Sequence, residues 1–510
     1  MIKSLLSVGG MTLLSRATGF IRDIVLGAVL GAGATADAFV VAFRLPNHFR
    51  AIFGEGAFNA AYVPTYSRVL ETEGAGQARA FSGQMFALML VIQIVLLALA
   101  LAFTPALVRI LAPGFVDEPA KFDLAVQLTR ITFPYLLCLT LVTLVSGTLN
   151  AHRRFAAAAF APVLLNLGMI AALALSFLFP SAAYAAAVGV CVSGVAQLVL
   201  VMADAGRASL LAAPRRPRWT KDTRQFLKTI VPAVIGSAGV QIAIFADTII
   251  SSLLPTGGPS SIYYADRIYQ LPIGVLGIAA GTVVLPEMSR RLAAGDAGGA
   301  LHAQNRAMAI TIALSAPFFV AFLTIPDLIM RGVFVRGAFT EADALAAGAV
   351  LAAYGFGLMP VVLIRSAVAS FQARGDTMTP MTIALVAVAI NVMLKIILFE
   401  PLGAPGLALA TAVGAWINFG LLAGLALRRG EMRFDTLFWK IVAATTASAV
   451  VLAIIALIGR GAAHLAEPLG VLSGSVVGLV ALAAAGALAY GAALTLALRL
   501  LNVRLALWKP

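Results

Sequence analysis

The 510-residue chain is 61% hydrophobic and only 11% charged, with a mean hydropathy of +0.98. Soluble proteins carry about 25% charged residues and about 45–50% apolar ones, so this chain has too few polar residues to cover a soluble exterior. The composition therefore excludes a soluble protein and predicts an all-α polytopic membrane protein.

The N-terminal stretch MIKSLLSVGGMTLLSRATGFIRD starts like a signal peptide, but Arg16, Arg22 and Asp23 interrupt its apolar run and no small-residue cleavage site follows. We expect it to be retained as the first membrane span. A span needs about 20 mostly apolar residues. The chain then predicts fourteen spans, at 4–30, 34–66, 80–104, 122–150, 155–179, 183–204, 225–254, 260–288, 306–328, 343–372, 379–399, 404–427, 437–459 and 470–498.

Three predicted spans, the second, eighth and tenth, are long and contain Gly and Pro. We expect them to be bent or broken. Irregular backbone inside a membrane is tolerated only where it faces protein or a water-filled cavity. These spans are therefore candidates for the lining of a cavity.

The distribution of Lys and Arg predicts the orientation of the spans. With the N-terminus in the cytoplasm, 23 of the 36 cations fall in cytoplasmic segments, 5 fall on the opposite side and 8 lie within spans. Cytoplasmic loops of membrane proteins are enriched in Lys and Arg, so both termini are expected in the cytoplasm. The net charge of +14 is thus a topology signal, and because the cations do not form one patch it does not indicate nucleic acid.

A short repeat divides the chain into two halves. Leu45-Pro46 is followed by PTYSR, and Leu271-Pro272 is followed by PEMSR. An even number of spans separates the two copies, so the halves would share their orientation. We predict two six-helix lobes around a central cavity and an added C-terminal helix pair; the boundaries are 1–206 for the first lobe, 207–224 for a basic cytoplasmic linker, 225–430 for the second lobe and 431–510 for the helix pair.

Several charged residues lie within predicted spans, where a charge costs at least about 2.5–3.5 kcal/mol. Two pairs are spaced seven residues apart, Arg16 with Asp23 and Asp37 with Arg44, and either pair could form a structural ion pair. Arg130 and Lys395 are near enough to span ends to extend to the membrane surface, and His48 fits a packing role. Two cysteines, Cys138 and Cys191, fit packing roles too.

Three arginines resist such explanations: Arg22, Arg50 and Arg267. Each lies beside glycine or a helix-bending proline, and neighbouring acids do not obviously neutralise all three. Guanidinium groups bind phosphate oxygens with two parallel hydrogen bonds. The residues alone therefore predict a transporter for an anionic, phosphorylated substrate and do not name it.

Four segments form a recognisable set: SRATGFIRDIVLG at 15–27, GEGAFNAAYVP at 54–64, AHRRFAAAAFAP at 151–162 and YADRIYQLPIGVLGIAAGTVVLPEMSR at 264–290. With them the chain resembles the MurJ (MviN) lipid II flippases of the multidrug/oligosaccharidyl-lipid/polysaccharide exporter superfamily. The resemblance implies transport of undecaprenyl-diphosphate-disaccharide-pentapeptide from the inner to the outer leaflet. It also implies that the last two helices form a groove for the lipid tail.

The resemblance further implies site residues. Arg22, Arg50 and Arg267 would bind the diphosphate, and the remaining motif positions are Arg16, Asp23, Glu55 and Asp266. Some family members bind sodium in the C-terminal lobe, which makes Asp247 a candidate ligand; no other cofactor is expected. The implied location is the bacterial inner membrane, with lipid II, membrane lipids and other cell-wall synthesis and division proteins as partners.

Other functions remain alternatives at this point. A flippase for a different undecaprenyl-linked glycan would have the same cavity charge. A drug/cation antiporter of the same superfamily would need a cavity dominated by acids. An enzyme acting on lipid diphosphates would need an acid/base pair or paired metal-binding carboxylates, whereas the histidines are isolated in sequence and no G-x-x-x-x-G-K-[ST] pattern is present.

Overall fold

The computed structural model describes residues 2–50, 57–466 and 476–503. Every regular element in these ranges is helical, apart from an isolated bridge between Arg336 and Phe339. Nine helices in the searched part of the chain are long and apolar enough to cross a membrane. The all-α membrane architecture is therefore confirmed, and the number of fourteen spans stays a prediction.

The chain divides into two compact units, Met1–Ser260 and Ser261–Pro510. The described residues of the first unit form nine α-helices and the start of a tenth. Their bounds are α1 Ile2–Leu30, α2 Ala34–Arg50, α3 Ala57–Ala102, α4 Thr104–Leu111, α5 Pro119–Thr132, α6 Pro134–Ala151, α7 Ala156–Ala174, α8 Ala182–Arg207 and α9 Lys221–Ser252.

The second unit takes in most of α10 and the rest of the chain. Its helices are α10 Gly258–Pro272, α11 Ile278–Ala293, α12 Ala297–Thr324, α13 Pro326–Phe334, α14 Glu341–Phe356, α15 Leu358–Gln372, α16 Met378–Arg428, α17 Thr436–Ala466 and α18 Val476–Leu500. The predicted lobe boundaries differ from this division because α9 packs with α3 in the first unit. The lobes stay a prediction.

Glycine and proline interrupt the helices where the sequence predicts irregular spans. The eighth span consists of α10 and α11, joined by a π-helical turn at Ile273–Gly277 directly after Pro272. The tenth span breaks between α14 and α15 at Gly357. Both expected breaks are confirmed, whereas the middle of the second span, residues 51–56, lies outside the described residues.

Two further features differ from the predicted spans. The predicted fourth span is split into α5 and α6 at Pro134, whose ring nitrogen carries no hydrogen to donate to the preceding turn. Residues 67–79, which lie between two predicted spans, are helical. Here α3 runs on through this stretch and is kinked at Gly74, which has a φ of 84°. Glycine has no Cβ, so it adopts this left-handed conformation without steric cost.

Each unit has its own apolar core. In the first unit an aromatic row on α3, formed by Phe58, Tyr62 and Tyr66, stacks at centroid distances of 5.2 and 5.7 Å. In the second unit the C-terminal helices pack on α12 and α13, where Leu452 and Tyr490 join the core. Gly332 and Gly459 allow this close approach, since a Cβ there would lie 2.6 and 2.5 Å from leucine side chains of α18.

Candidate functional site

Arg22 lies in the middle of a buried hydrogen-bond network in the first unit. Its Nε and Nη2 donate to Asp23 Oδ1 at 3.1 and 2.8 Å, and its Nη1 donates to Asn166 Oδ1 at 2.9 Å. Only 7% of Arg22 is exposed. The guanidinium plane is thus fixed in position, and its charge is balanced by the neighbouring carboxylate.

Asn166 positions this guanidinium from the opposite helix. It lies on α7, which packs along α1, and its Nδ2 donates to the carbonyl oxygen of Ser15 at 2.9 Å and to Thr18 Oγ1 at 3.1 Å. The amide of Asn166 packs over Gly19, where a Cβ would lie 3.4 Å from Asn166 Nδ2, at ordinary van der Waals contact. Sequence reasoning missed Asn166; its only signal is a lone amide in the apolar run AAAAFAPVLLNLGMIAALA.

The ion pair suggested between Arg16 and Asp23 does not form. Asp23 is paired with Arg22, and Arg16 is exposed on α1. Adjacent residues on a helix point about 100° apart, but the long arginine side chain turns back far enough to reach Asp23. The two motif residues Arg22 and Asp23 therefore act as one buried unit.

Asp37 has a different partner from the one that its spacing suggested. Its carboxylate lies 3.2 Å from Lys121 Nζ, and it accepts hydrogen bonds from the backbone N–H groups of Gly257 and Ser260 at 2.8 and 2.9 Å. Asp37 is fully buried and 3% of Lys121 is exposed. The expected ion pair between Asp37 and Arg44 is therefore wrong, because Lys121 is the cationic partner. The structural role expected for Asp37 agrees with the structure, since its carboxylate accepts hydrogen bonds from the backbone at the start of α10.

Lys121 connects this carboxylate to the loop that precedes α10. Its ammonium group also donates to Glu118 Oε1 at 3.3 Å and to Thr256 Oγ1 at 3.1 Å, and lies 4.4 Å from the centre of the Phe115 ring. Positive-inside counting predicts these residues at the outer end of the spans. Sequence reasoning counted Lys121 among the outer cations but did not find its role.

Arg267 has a more open environment in the second unit. Its guanidinium carbon lies 4.6 Å from the centre of the Tyr263 ring, and its Nη2 lies 3.9 Å from Asp266 Oδ2. The Arg267 side chain is 33% exposed. Asp266 also accepts a hydrogen bond from Gln270 one turn later. The Arg267 side chain is thus more exposed than that of Arg22 and lies between an aromatic face and an acid.

The remaining predicted site residues are placed only in part. Arg50 is the last residue of α2, and its side chain, like that of His48, lies outside the described residues, as does all of Glu55. Asp247 is half-buried on α9. No group of three or more His, Cys, Asp or Glu side chains that could hold a metal occurs in the described part of the chain. The sodium site at Asp247 therefore stays a prediction.

Two other cations within spans differ from each other. Arg130 is exposed on α5, as a side chain that extends to the membrane surface must be. Lys395 is only 4% exposed on α16, so the expectation that it extends to the surface is wrong.

Comparison with known proteins identifies the family. The family model described as lipid II flippase MurJ matches residues 26–481. The chain belongs to the MurJ family of lipid II flippases. It is 41% identical over 440 residues to a probable lipid II flippase MurJ from Rhizobium meliloti (strain 1021), covering 85% of this chain and 82% of the relative. It is 34% identical over 437 residues to the lipid II flippase MurJ of Burkholderia cenocepacia, covering 84% of both chains.

Solved structures show the same fold. A lipid II flippase MurJ in an inward closed conformation superposes with a TM-score of 0.77 at 24% identity, covering 97% of this chain and 99% of that one. An inward-facing multidrug resistance MATE transporter of the MOP superfamily superposes with a TM-score of 0.64 at 15% identity, covering 82% and 95%. The MurJ family thus shares its architecture with drug transporters, and the fold alone does not separate the two.

Proposed function

We propose that this chain carries lipid II, the undecaprenyl-diphosphate-linked peptidoglycan precursor, from the inner to the outer leaflet of the bacterial inner membrane. Membership of the MurJ family gives the substrate class. The observation that carries the proposal is the buried guanidinium of Arg22, because a membrane protein that buries a cation at this cost uses it for a substrate or for a partner. Asp23 is that partner in the present conformation.

The diphosphate would replace Asp23 as the partner of Arg22. Phosphate oxygens and carboxylate oxygens accept the same pair of parallel hydrogen bonds from a guanidinium group. Asn166 would hold Nη1 during the exchange, so the arginine keeps its orientation while Asp23 turns away. Arg50 and Arg267 would supply further positive charge, with Arg16, Asp23, Glu55 and Asp266 tuning it.

Transport would follow alternating access, with the polyprenyl tail in lipid and the headgroup in a hydrated chamber. One charge that crosses 100 mV changes in energy by about 2.3 kcal/mol, so a diphosphate near −2 leaving a negative cytoplasm gains about 4.6 kcal/mol at most. We therefore expect the membrane potential to drive or reset the cycle. No covalent chemistry and no cofactor beyond a sodium ion at Asp247 enter this scheme, so the chain would be a transporter and not an enzyme.

The direct test is reconstitution of the full chain in liposomes with fluorescent lipid II. The fraction of lipid II that an impermeant reagent can modify reports translocation. We expect wild type to translocate, Arg22→Ala to abolish it, and the matched control Arg130→Ala, an exposed cation in a span, to retain it. Full activity of Arg22→Ala with an unchanged melting temperature would contradict the role of Arg22.

The same liposomes separate the proposal from its alternatives. A lipid carrying an O-antigen unit on undecaprenyl diphosphate tests the flippase for another glycan, and lipophilic cations test the antiporter suggested by the MATE-like fold. We expect lipid II alone to move. Translocation of the other glycan lipid at an equal rate, or cation transport in place of lipid II transport, would favour the corresponding alternative.

A further inference from the structure

A second cationic feature lies outside the transport site, in the segment that joins α8 to α9. We define residues 209–220 as the basic strap. It carries Arg215, Arg216 and Arg218, and Lys221 and Arg224 follow on the first turn of α9. All five side chains are exposed. No acidic residue lies between Asp204 and Asp222, so this surface is strongly positive.

The acids at the two ends of this stretch do not neutralise it. Asp204 forms an ion pair with Arg154, and Asp222 forms one with Arg68. Both carboxylates are therefore already balanced by cations from other parts of the first unit. The five cations of the strap and of the first turn of α9 keep their positive field.

The backbone of the basic strap is held against α3, nine residues after its kink at Gly74. The N–H of Arg215 donates to the carbonyl oxygen of Gly83 at 3.0 Å. Gly83 makes this approach fit, since a Cβ there would lie 2.3 Å from the carbonyl oxygen of Ala213. At its end, Thr220 caps α9 by accepting a hydrogen bond from the N–H of Thr223 at 3.2 Å. The strap thus runs at the boundary where predicted spans end.

Two large apolar side chains stand out among these cations. Trp219 is 85% exposed and Leu211 is 45% exposed. An indole ring beside cations at the end of a span is typical of side chains that lie in the headgroup layer of a membrane. A segment that only faced water would gain nothing from these exposed apolar groups, whereas a membrane surface would cover them.

We propose that the basic strap, with Lys221 and Arg224, binds the anionic headgroups of phospholipids in the inner leaflet, and that Trp219 and Leu211 insert beside them. The arginines and the lysine bind the phosphate groups, and the apolar side chains enter the interface. This inference goes beyond the proposed function and does not depend on it, because none of these residues belongs to the transport site.

The test uses the full-length protein in detergent and phosphatidylglycerol that is fluorescently labelled on an acyl chain, so that its headgroup is intact. Fluorescence anisotropy measures the lipid retained. Each Lys or Arg near an anionic surface raises the affinity for that surface about fivefold. The double variant Arg216→Gln/Arg218→Gln is therefore expected to weaken lipid retention about 5- to 30-fold. The control Arg428→Gln/Arg433→Gln removes two exposed cations from another loop on the same predicted side and is expected to leave retention unchanged.

Further arms separate the ligands that share this chemistry. Labelled phosphatidylcholine, which has no net charge, is expected to bind at least about fivefold more weakly than phosphatidylglycerol, and free glycerol phosphate is expected not to displace the lipid. Both double variants are expected to melt at the wild-type temperature. Three results would each overturn the proposal. The first is an equal loss of retention in the strap and control variants, and the second is equal binding of the two lipids. The third is displacement of the labelled lipid by free glycerol phosphate, or by a single-stranded oligonucleotide added as a competitor, at a lower concentration than by unlabelled lipid.

Discussion

The two units hold their motif arginines in different ways. In the first unit Arg22 is 7% exposed and makes three hydrogen bonds, to Asp23 and Asn166. In the second unit Arg267 is about one-third exposed, with Asp266 at 3.9 Å and the face of Tyr263 at 4.6 Å. A guanidinium with hydrogen-bonded partners in a buried site is preorganised for an anion, whereas Arg267 lies over an aromatic ring and is more exposed.

This difference assigns separate tasks to the two arginines. Arg22 would give the diphosphate a fixed point of attachment, since the side-chain entropy of the arginine is lost before the substrate arrives. Arg267, the more exposed of the two, would act on the substrate through its positive charge, and its contact with a ring depends less on direction than a pair of hydrogen bonds does. Substitutions in the two units test this contrast.

Buried ion pairs of the first unit are expected to matter most for stability. Lys121→Met leaves the buried carboxylate of Asp37 without its cation, and removal of one partner from a buried pair costs about 3–5 kcal/mol. The paired control is Asp266→Asn in the second unit, where a partly exposed pair 3.9 Å apart is expected to contribute less, about 0.2–1 kcal/mol. Thermal unfolding in detergent measures both. Equal shifts in melting temperature would contradict the contrast between the units.

Substitution by lysine is expected to lower lipid II translocation much more at Arg22 than at Arg267. Arg22→Lys keeps the charge but cannot hold Asp23 and Asn166 together. The loss of one charge-assisted hydrogen bond, about 1.5–3 kcal/mol, lowers lipid II translocation about 10- to 150-fold. For Arg267→Lys, a change in a cation–π contact of about 0.5–1 kcal/mol lowers it only about two- to fivefold. The translocation rates of both variants are measured in liposomes. A larger loss for Arg267→Lys than for Arg22→Lys would contradict the separate tasks of the two arginines.

Asn166 is expected to act through Arg22. Asn166→Ala removes one hydrogen bond to the guanidinium, which is worth about 1.5–3 kcal/mol when the donor is charged. If Asn166 only packs α7 against α1, the double variant Asn166→Ala/Arg22→Lys loses translocation by the product of the single effects. If it positions Arg22, the double variant is little worse than Arg22→Lys alone, and this second result is the one expected.

The smallest expected effect is a pH dependence at the predicted cytoplasmic side. Burial, together with the charge of Arg79, lowers the pKa of His152 below its usual value of about 6.5. Tyr66 Oη lies 3.0 Å from Nε2 of this histidine. The folded state favours the neutral ring, so its contribution to stability is fully present above the unfolded pKa of about 6.5 and is lost as the pH falls from there through the lower folded pKa. The melting temperature of wild type should therefore drop more on acidification than that of His152→Gln; equal drops would contradict this.

The all-α membrane architecture and the family could be predicted from the sequence, because the bilayer thickness sets the length of an apolar run and the motifs are specific. The breaks at Pro272 and Gly357 were predictable for a similar reason, since proline and glycine disturb helices through their own backbones. The split at Pro134 shows the limit of this reasoning: proline is tolerated in many helices, and its neighbours decide whether the helix ends.

The ion-pair and hydrogen-bond partners of the buried charged residues could not be predicted from the sequence. Spacing along one helix suggested Arg16 for Asp23 and Arg44 for Asp37, but the structure uses Arg22 and Lys121 instead. Asn166 lies 144 residues from Arg22 along the chain, and no local pattern connects them. Buried polar groups take whichever partner the packing of helices brings near, and packing between distant segments cannot be read from the spacing in one segment.

Translocation of lipid II by Arg22→Gln and by Arg22→Gln/Asp23→Asn is compared with that of wild type in the same liposomes. Glutamine can still donate a hydrogen bond but carries no positive charge, so the account predicts that both variants lose translocation. The single variant leaves the buried Asp23 carboxylate without its cation and is expected to melt at a lower temperature, whereas the double variant leaves no unpaired carboxylate and is expected to stay folded. Translocation at the wild-type rate would show that the diphosphate does not need this guanidinium, and would contradict the account.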